Sequence, residues 1–313
     1  MKVFKAIVLA LLGALATGCQ DQPRKPTETQ TQGRIVVKGS DSVLKLMRRE
    51  AQAFMQLYQK AEIVVDGGGS KAGIAVLNEG RSRIAVMSRT PTAQEDSVIR
   101  ANGGQPKGYQ IALDGMAVIV NRKNSVERLD LDQLAGIFGG RITNWRQVGG
   151  QGPAIVPVFP GPNTGGYEYF KNLVLKGRDY SARSYPCSTT AQAVDLVREH
   201  PSAIGLVTMA ALYRSWDVWP PEREAGIKAV AVGFSRARGY FLPNQKTVND
   251  GDYPMTRPIY LYVNETVENT YNQGTSSLAH GFISFVTSFE GQKIVAKQGL
   301  VPTAMPVIIK HKQ

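Results

Sequence analysis

The feature that most constrains the fold of this chain is a glycine-rich stretch, Gly67-Gly68-Gly69-Ser70-Lys71-Ala72-Gly73-Ile74. It follows a β-like run, Ile63 to Asp66, and opens a helical pattern that runs from Ile74 to Asn78. Glycine accepts positive φ, so the backbone can turn tightly, and the first helical N–H groups are left unpaired in front of the helix. A strand, a glycine turn and a helix start, together with the hydroxyl of Ser70, predict an anion-binding site.

Two further loops repeat this arrangement of strand, small polar residues and helix. Gly39-Ser40-Asp41-Ser42 precedes the helical pattern of Leu44 to Tyr58, and Gly161-Pro162-Asn163-Thr164-Gly165-Gly166-Tyr167-Glu168 precedes that of Tyr169 to Leu175. Each loop taken singly is a weak signal, because glycine turns before helices are common. The hypothesis of one shared anion site depends on all three helix starts converging, which residue spacing cannot establish.

Each loop also has a purely structural interpretation. Serine, threonine and aspartate are the usual residues at helix N-caps, where the side chain accepts a backbone N–H of the first turn. Ser40 or Asp41 could therefore serve only as a cap, and so could Thr164.

Strand-like and helix-like segments alternate along the chain, which predicts an α/β fold. The strand-like runs are short, rich in Val and Ile, and bounded by Gly, Pro, Asn or Asp. They cover Ile35 to Lys38, Ile63 to Asp66, Ile84 to Met87, Met116 to Val120, Ile155 to Phe159, Ile204 to Val207, Ile227 to Val232 and Ile259 to Val263. Helical spacing recurs from Leu44 to Tyr58, from Ala193 to Val197 and from Phe282 to Phe289.

The N-terminus has the pattern of an export signal. Lys2 and Lys5 form a basic start, and the apolar run of Ala6 to Ala16 is too short to span a bilayer. Small residues then precede Cys19, as in a bacterial lipobox. We expect a signal peptide over 1–18, lipidation of Cys19, and a polar tether over 19–33. The alternative is an ordinary signal peptide cut near Ala16.

Charge and cysteine content restrict the function classes. The net charge is +12, and the basic residues are scattered, without the aromatic-interleaved basic run that would favour nucleic acid. If Cys19 carries lipid, Cys187 has no partner in the chain and is expected to be a small buried residue rather than a reactive thiol.

The sequence gives little support for an enzyme. The three histidines, His200, His280 and His311, have no metal-ligand spacing, and no Gly-x-Ser-x-Gly elbow or carboxylate pair stands out. We therefore expect no catalysis, no cofactor and no metal site.

Over almost all of its mature length the chain resembles the phosphate-binding proteins of bacterial ABC transporters, within the periplasmic-binding-protein class. The motifs that carry this resemblance recur in one order and spacing. They are Gly39 to Ser42, Gly67 to Ser70 with Gly73-Ile74, Ile84 to Arg89, Ala112 to Asn121, Ile137 to Trp145, Ala203 to Gly205, Tyr253 to Tyr260 and Glu290 to Val295.

The resemblance implies a two-lobed α/β fold, with two mixed sheets flanked by helices and the ligand in the cleft between the lobes. The implied lobes are 34–113 with 259–313, and 114–258. The resemblance also implies capture of inorganic phosphate or a related oxyanion, delivery to ABC permease subunits, a monomer, and a location in the cell envelope. The competing hypothesis is an anion sensor or a surface lipoprotein that keeps the scaffold with a degenerate site.

Matching the family's ligand positions residue by residue gives a candidate set. The first loop contributes Ser42 and Val43, the glycine loop contributes Ser70, and the third loop contributes Thr164 and Gly165. These groups suit an oxyanion bound through neutral donors.

Three positions depart from the family's pattern. Arg83 stands where the resemblance implies an aspartate, Pro160 where it implies an arginine, and Gly166 where it implies a threonine. An aspartate accepts the proton of a protonated phosphate, so its loss should weaken discrimination against sulfate. Arg83 either replaces the lost cation from another wall of the site or points to solvent. Together with the residues above, Arg83 and Gly166 complete the candidate ligand set, which is Ser42, Val43, Ser70, Arg83, Thr164, Gly165 and Gly166.

Overall fold

The computed structural model describes residues 28–152, 154–162, 164–212, 226–272 and 277–303. The predicted leader, Cys19 and most of the tether lie outside the described residues. The strands are β1 (Gly33–Gly39), β2 (Ala61–Asp66), β3 (Ile84–Met87), β4 (Pro106–Asn121), β5 (Arg128–Asp130), β6 (Val156–Pro160), β7 (Tyr185–Cys187), β8 (Ala203–Thr208), β9 (Ile227–Gly233), β10 (Thr256–Asn264) and β11 (Val301–Pro302).

The helices alternate with these strands along the chain. They are α1 (Leu44–Leu57), α2 (Gly69–Asn78), α3 (Ala93–Ala101), α4 (Leu131–Phe138), α5 (Gly165–Leu173), α6 (Thr190–Glu199), α7 (Met209–Leu212), α8 (Gln245–Asn249), α9 (Glu265–Asn272), α10 (Leu278–Thr287) and α11 (Phe289–Lys297). Short 3₁₀ turns cover Asp41–Val43, Trp145–Val148 and Arg236–Arg238.

The long strand β4 is shared by two groups of strands. Its first part, up to Gly115, pairs antiparallel with β10, which continues through β3 and β1 to β2; we call this group sheet I. Its second part, from Met116 to Asn121, pairs antiparallel with β8 and β9, and β8 continues to β6 and β7; this group is sheet II. The chain passes between the two groups within β4 and again at the start of β10, where the N–H of Met116 donates to the carbonyl of Met255.

Each sheet has its own hydrophobic core. Helix α1 shows how the core of sheet I forms. Its apolar residues Leu46, Met47, Ala51 and Phe54 recur at three- and four-residue spacing and are buried on one face. The helix packs against β2, α10 and α11. Sheet I is covered by side chains such as Phe54 and Phe282, while Phe138, Trp145 and Phe170 fill the core beside sheet II.

The strand predictions are confirmed, but the extent of the elements differs. All eight predicted strands are present, and β4 begins ten residues before its predicted start at Met116. Helices α2 and α5 begin at Gly69 and Gly165, earlier than the apolar spacing indicated. The helical pattern near the C-terminus divides at Ser288, which caps α11. No helix among the described residues is long and apolar enough to cross a membrane.

Candidate functional site

Three chain segments meet at one edge of sheet I. Strands β1 and β3 are parallel neighbours, so the residues that follow them, Ser40 and Ser88, lie side by side. β2 pairs parallel with β1 on its other side and leads into the glycine turn, where Gly68 and Gly69 have φ of 116° and 88°. The predicted positive φ of this turn is confirmed, and it places Ser70 in the first turn of α2.

Four serine hydroxyls form a connected cluster at this edge. Ser40 Oγ lies 2.9 Å from Ser42 Oγ and donates to Ser88 Oγ at 3.2 Å. Ser70 Oγ lies 3.4 Å from Ser88 Oγ and accepts the N–H of Ser88 at 3.2 Å. Ser40, Ser70 and Ser88 are at most 3% exposed. Ser40 and Ser42 line the cavity described below and can turn their hydroxyl hydrogens towards an anion, while Ser70 and Ser88 are not among the residues that line it and hydrogen-bond within the cluster.

Ser40 and Ser88 were not among the sequence-derived ligand positions. Ser40 lies in a predicted anion loop with a helix cap as the alternative, and its side chain makes no capping bond. Ser88 lay inside a recognised motif, and its role follows only from the pairing of β1 with β3.

A fully buried arginine, Arg257, supplies the positive charge of the site. It stands opposite Asp114 in the register of β10 and β4, and its Nη2 and Nε donate to Asp114 Oδ2 at 2.9 and 3.2 Å. Nη2 also donates to Ser42 Oγ at 3.0 Å. Its Nη1 is buried and has no hydrogen-bond partner among the described residues. A buried guanidinium with one unpaired N–H group facing a cavity is a strong oxyanion ligand.

Asp114 fixes the orientation of this arginine. Burial raises the pKa of Asp114, while Arg257 and the N–H groups of Met209 and Ala210 oppose that rise. The sequence placed Arg257 in a family motif but did not assign it to the site, because the partner that holds it lies 143 residues earlier.

The first turn of α5 faces the serine cluster and the arginine from the other sheet. Its residues Gly165 and Gly166 are buried, and the first N–H groups of a helix have no acceptor within the helix. A Cβ on Gly165 would lie 2.8 Å from Ser70 Oγ and still closer to Ser88 Oγ. A Cβ on Gly166 would lie 3.5 Å from Arg257 Nη1. The structure therefore brings the glycines of the third loop together with the serines of the other two.

Thr164 and Val43 have their donors occupied within the chain. The hydroxyl of Thr164 donates to the carbonyl of Gly161 at 2.8 Å and accepts the N–H of Tyr167 at 3.2 Å, so Thr164 is the N-cap of α5. The N–H of Val43 donates to the carbonyl of Ser40 at 3.3 Å. Both residues line the cavity described below, but neither presents a free donor in this arrangement.

Arg83 does not lie in the cleft. It precedes β3, at the opposite end of the strand from Ser88, and four strand residues separate the two positions by roughly 17 Å. Its guanidinium forms paired hydrogen bonds with Glu268 at 2.5 and 2.6 Å and with Glu28 at 3.0 and 3.1 Å. The hypothesis that Arg83 replaces a lost cation of the site is wrong in this geometry, and so is the alternative that it points to solvent, because its side chain is 11% exposed.

A cavity of about 550 Å³ adjoins these groups. One end is formed by Ser40, Ser42, Gly165, Gly166 and Arg257. The rest is lined by residues from both sheets and their helices, which include Lys45, Pro160, Cys187, Ala193, Leu206 and Leu300. Cys187 is buried, and burial raises the pKa of its thiol, which accords with the expected inert residue.

The chemistry of this site is that of anion binding. Hydroxyls, helix N–H groups and one guanidinium converge, and Asp41, the acidic residue lining the described cavity, already accepts the N–H of Gly68 through Oδ1. Within the described ranges no three His, Cys, Asp or Glu side chains are grouped so that they could hold a metal ion.

Comparison with known proteins agrees with this geometry. A family model described as a PBP superfamily domain matches residues 25–290. The chain is 26% identical to the phosphate-binding protein PstS of Pseudomonas aeruginosa, over 97% of this chain and 94% of that protein.

Solved structures show the same two-lobed fold. A candidate phosphate ABC transporter substrate-binding protein from Clostridium perfringens, with bound phosphate, is 28% identical with a TM-score of 0.72; the match covers 87% of this chain and all of that one. An ABC-type phosphate transport receptor from Vibrio cholerae is 25% identical with a TM-score of 0.68; the match covers 86% of this chain and all of that one.

Proposed function

Because the chain belongs to the PBP superfamily, we propose that it is an extracytoplasmic receptor that captures inorganic phosphate and presents it to an ABC importer. The observation that carries the proposal is Nη1 of Arg257, which has no hydrogen-bond partner in the part of the chain that the structure describes and lies between the serine cluster and the first turn of α5. The phosphate named for the relatives from Pseudomonas and Clostridium is the oxyanion that such a site suits.

The anion would be held from three sides. Arg257 provides a charge-assisted hydrogen bond, and such bonds are about twice as strong as neutral ones. Ser42 provides a hydroxyl from the side of sheet I, with Ser70 in the same hydroxyl cluster, while Gly165 and Gly166 provide helix N–H groups from the side of sheet II. The anion would thus link the two lobes, which favours the closed arrangement over the open one.

The lobes in this proposal are 34–113 with 259–313, and 114–258. The crossing segments are then the middle of β4 and the start of β10, where Asp114 and Arg257 face each other. We further propose that the protein works as an exported monomer, anchored through lipid on Cys19, without a cofactor and without catalysis.

Selectivity among oxyanions is expected to be modest. The carboxylates nearest the described site are already engaged, Asp114 by Arg257 and Asp41 by Gly68. A hydroxyl can donate to sulfate as readily as it accepts the proton of phosphate, so a site whose carboxylates are engaged discriminates weakly between the two anions. We therefore expect sulfate to bind within about tenfold of phosphate, a difference of roughly 1.4 kcal/mol.

The test is calorimetric titration of the full-length chain, purified in detergent and freed of anion, with phosphate and then sulfate. The informative variant is the double substitution Arg257→Met with Asp114→Asn, which removes the cation without leaving a buried unpaired carboxylate. Arg122→Met, at an exposed arginine at the far end of β4, is the control. Circular dichroism shows whether each variant is folded.

We expect the double variant to lose about a hundredfold in phosphate affinity, equivalent to roughly 2.7 kcal/mol, and the control to match the parent protein. Absence of phosphate binding in the folded parent protein would reject the proposal and favour a surface or sensor lipoprotein with a degenerate site.

A further inference from the structure

The cavity is large for inorganic phosphate. Its volume of about 550 Å³ falls in the range of roughly 300–1,000 Å³ that is typical of sites for organic small molecules. Phosphate has five non-hydrogen atoms, and the groups that suit it occupy one end of the cavity. The remaining space is continuous with that end.

The wall of the remaining space differs in chemistry from the anion end. It is largely apolar, with hydroxyl groups at intervals. It is formed by Leu206, Val207, Ala193 and Leu300, by Ser188, Thr190 and Gln298, and by the charged Lys45. Alternating apolar and hydroxyl-bearing surface of this kind suits a small substituent that carries its own hydroxyl groups.

The boundary between the two parts lies at Gly166. A Cβ on this residue would lie 3.3 Å from both Met116 Cε and Pro160 Cγ and 3.5 Å from Arg257 Nη1. A larger side chain at 166 would therefore fill the space beside the unpaired nitrogen. Pro160 and Gly166, which border this space, have no side chain that can donate a hydrogen bond.

We infer that the cleft accepts a phosphate monoester with a small hydroxylated substituent, its phosphoryl group on Arg257 and its substituent passing Gly166 and Pro160 into the apolar part. The inference rests on the proposed function, since it uses the same anion end. A monoester keeps three phosphoryl oxygens for Arg257, the serines and the α5 N–H groups. Its fourth oxygen carries the substituent past Gly166 and Pro160, neither of which has a side-chain hydrogen-bond donor.

The experiment compares inorganic phosphate, sn-glycerol 3-phosphate and glycerol by calorimetry on the full-length chain. Gly166→Thr fills the boundary, and its φ is not in the left-handed region, so threonine is compatible with the backbone. The matched control is Gly161→Thr in the same loop, because Gly161 does not line the cavity and its added Cβ would meet the backbone carbonyl of Cys187.

We expect glycerol 3-phosphate to bind within about tenfold of phosphate or more tightly, and glycerol not to bind. Gly166→Thr should weaken the ester at least about tenfold more than phosphate, while Gly161→Thr leaves their ratio unchanged.

Tight phosphate binding with an ester that is more than about a hundredfold weaker would overturn the inference and leave the proposed function intact. An unchanged ratio in Gly166→Thr would also overturn it. Binding of the ester alone would support the inference and remove inorganic phosphate as the cargo. Loss of both ligands in a folded parent protein would reject both proposals.

Discussion

Arg83 forms ion pairs that connect three distant parts of the chain, on the side of the molecule that is remote from the cleft. Its guanidinium joins Glu268 in α9 and Glu28 ahead of β1, and the Glu268 side chain is 1% exposed. Breaking a buried ion pair leaves an uncompensated charge, so we expect Arg83→Gln to lower the free energy of unfolding by about 3 kcal/mol. Phosphate affinity should change less than about twofold, because the site is not involved.

Urea unfolding and calorimetry measure the two effects. Arg34→Gln is the matched control, since the pair of Arg34 with Glu62 is well exposed and should contribute at most about 1 kcal/mol. A tenfold loss of phosphate affinity in folded Arg83→Gln would contradict the placement of Arg83 outside the site.

Glu50 is the buried acid of α1. It is 0% exposed, neither carboxyl oxygen has a hydrogen-bond partner in the described structure, and burial raises its pKa to about 9. The folded state therefore keeps a proton that the unfolded state releases near pH 4.5. The unfolded state binds fewer protons between these pH values, so stability falls as the pH rises, by up to about 1.4 kcal/mol per unit.

Glu50→Gln should remove this pH dependence. We expect the variant and the parent protein to differ little at pH 5 and the variant to be more stable by roughly 3 kcal/mol at pH 7. Urea unfolding at pH 5, 6 and 7 measures the difference. Glu199→Gln, at the exposed end of α6, should follow the parent at every pH, and a parallel course for Glu50→Gln would refute the buried neutral carboxyl.

At the scale of single residues, the ligand role of the loop serines and glycines stays a prediction, and the sequence did not indicate the buried arginine. Ser42, Ser70, Gly165 and Gly166 stood in recognisable turns, where local rules apply. Arg257 became a ligand candidate only because β4 and β10 pair in a register that sets it against Asp114. That register is a property of the assembled sheet. Arg83 was misplaced for the same reason, since nothing near it in the chain marks Glu268.

The start of α5 controls how closely the two sheets approach. Gly165 belongs to the side of sheet II, and a Cβ there would collide with Ser88 and Ser70 on the side of sheet I. Gly165→Ala should therefore hold the lobes apart and weaken phosphate binding by about tenfold or more. Small-angle scattering with saturating phosphate should show a larger radius of gyration than the parent protein gives.

Gly161→Ala provides the comparison within the same loop. Its added Cβ would meet the carbonyl of Cys187, which lies on the same side of the cleft. This variant should close and bind as the parent does. Equal radii for Gly165→Ala and Gly161→Ala at saturating phosphate would refute a direct contact between α5 and the serine cluster in the closed state.

The strands and helices with strong apolar periodicity could be predicted from the sequence. Two helices whose main sequence signal is a polar N-cap were not predicted. Helices α3 and α4 begin at capping boxes, Thr92 with Glu95 and Asp130 with Gln133. These short polar signals could have located both helices. The short strands β5, β7 and β11 have two or three residues each, too few for an alternating pattern, and their partners in the sheets define them.

Part of the net positive charge of the molecule is concentrated beside the cleft. Lys45, Arg48 and Arg49 are exposed on one face of α1, and Lys45 lines the cavity. Cations near a cleft raise the rate at which an anion arrives, and salt screens the effect. We expect reversal of all three charges to glutamate to slow phosphate association several-fold at low salt. The difference should shrink near 1 M salt.

Stopped-flow fluorescence with a dye on an added surface cysteine measures the association rate in a Cys19→Ser background, because Cys187 is buried and should not react. The control reverses Arg122, Lys123 and Arg146, which are exposed in the other lobe and change the net charge equally. Equal slowing by both sets would show that total charge, and not the face of α1, governs arrival of the anion.

Arg257 and Asp114 lie on the two segments that connect the halves of the molecule, which gives the cation a mechanical position distinct from the loops. A group that lies on the axis of a rotation is displaced little when the two lobes rotate about that axis. If the proposed lobes rotate about these segments, we expect the serines and the α5 glycines to move further than the arginine. The first contact of an arriving anion can therefore be the same in every degree of opening, and release requires only that the moving walls withdraw.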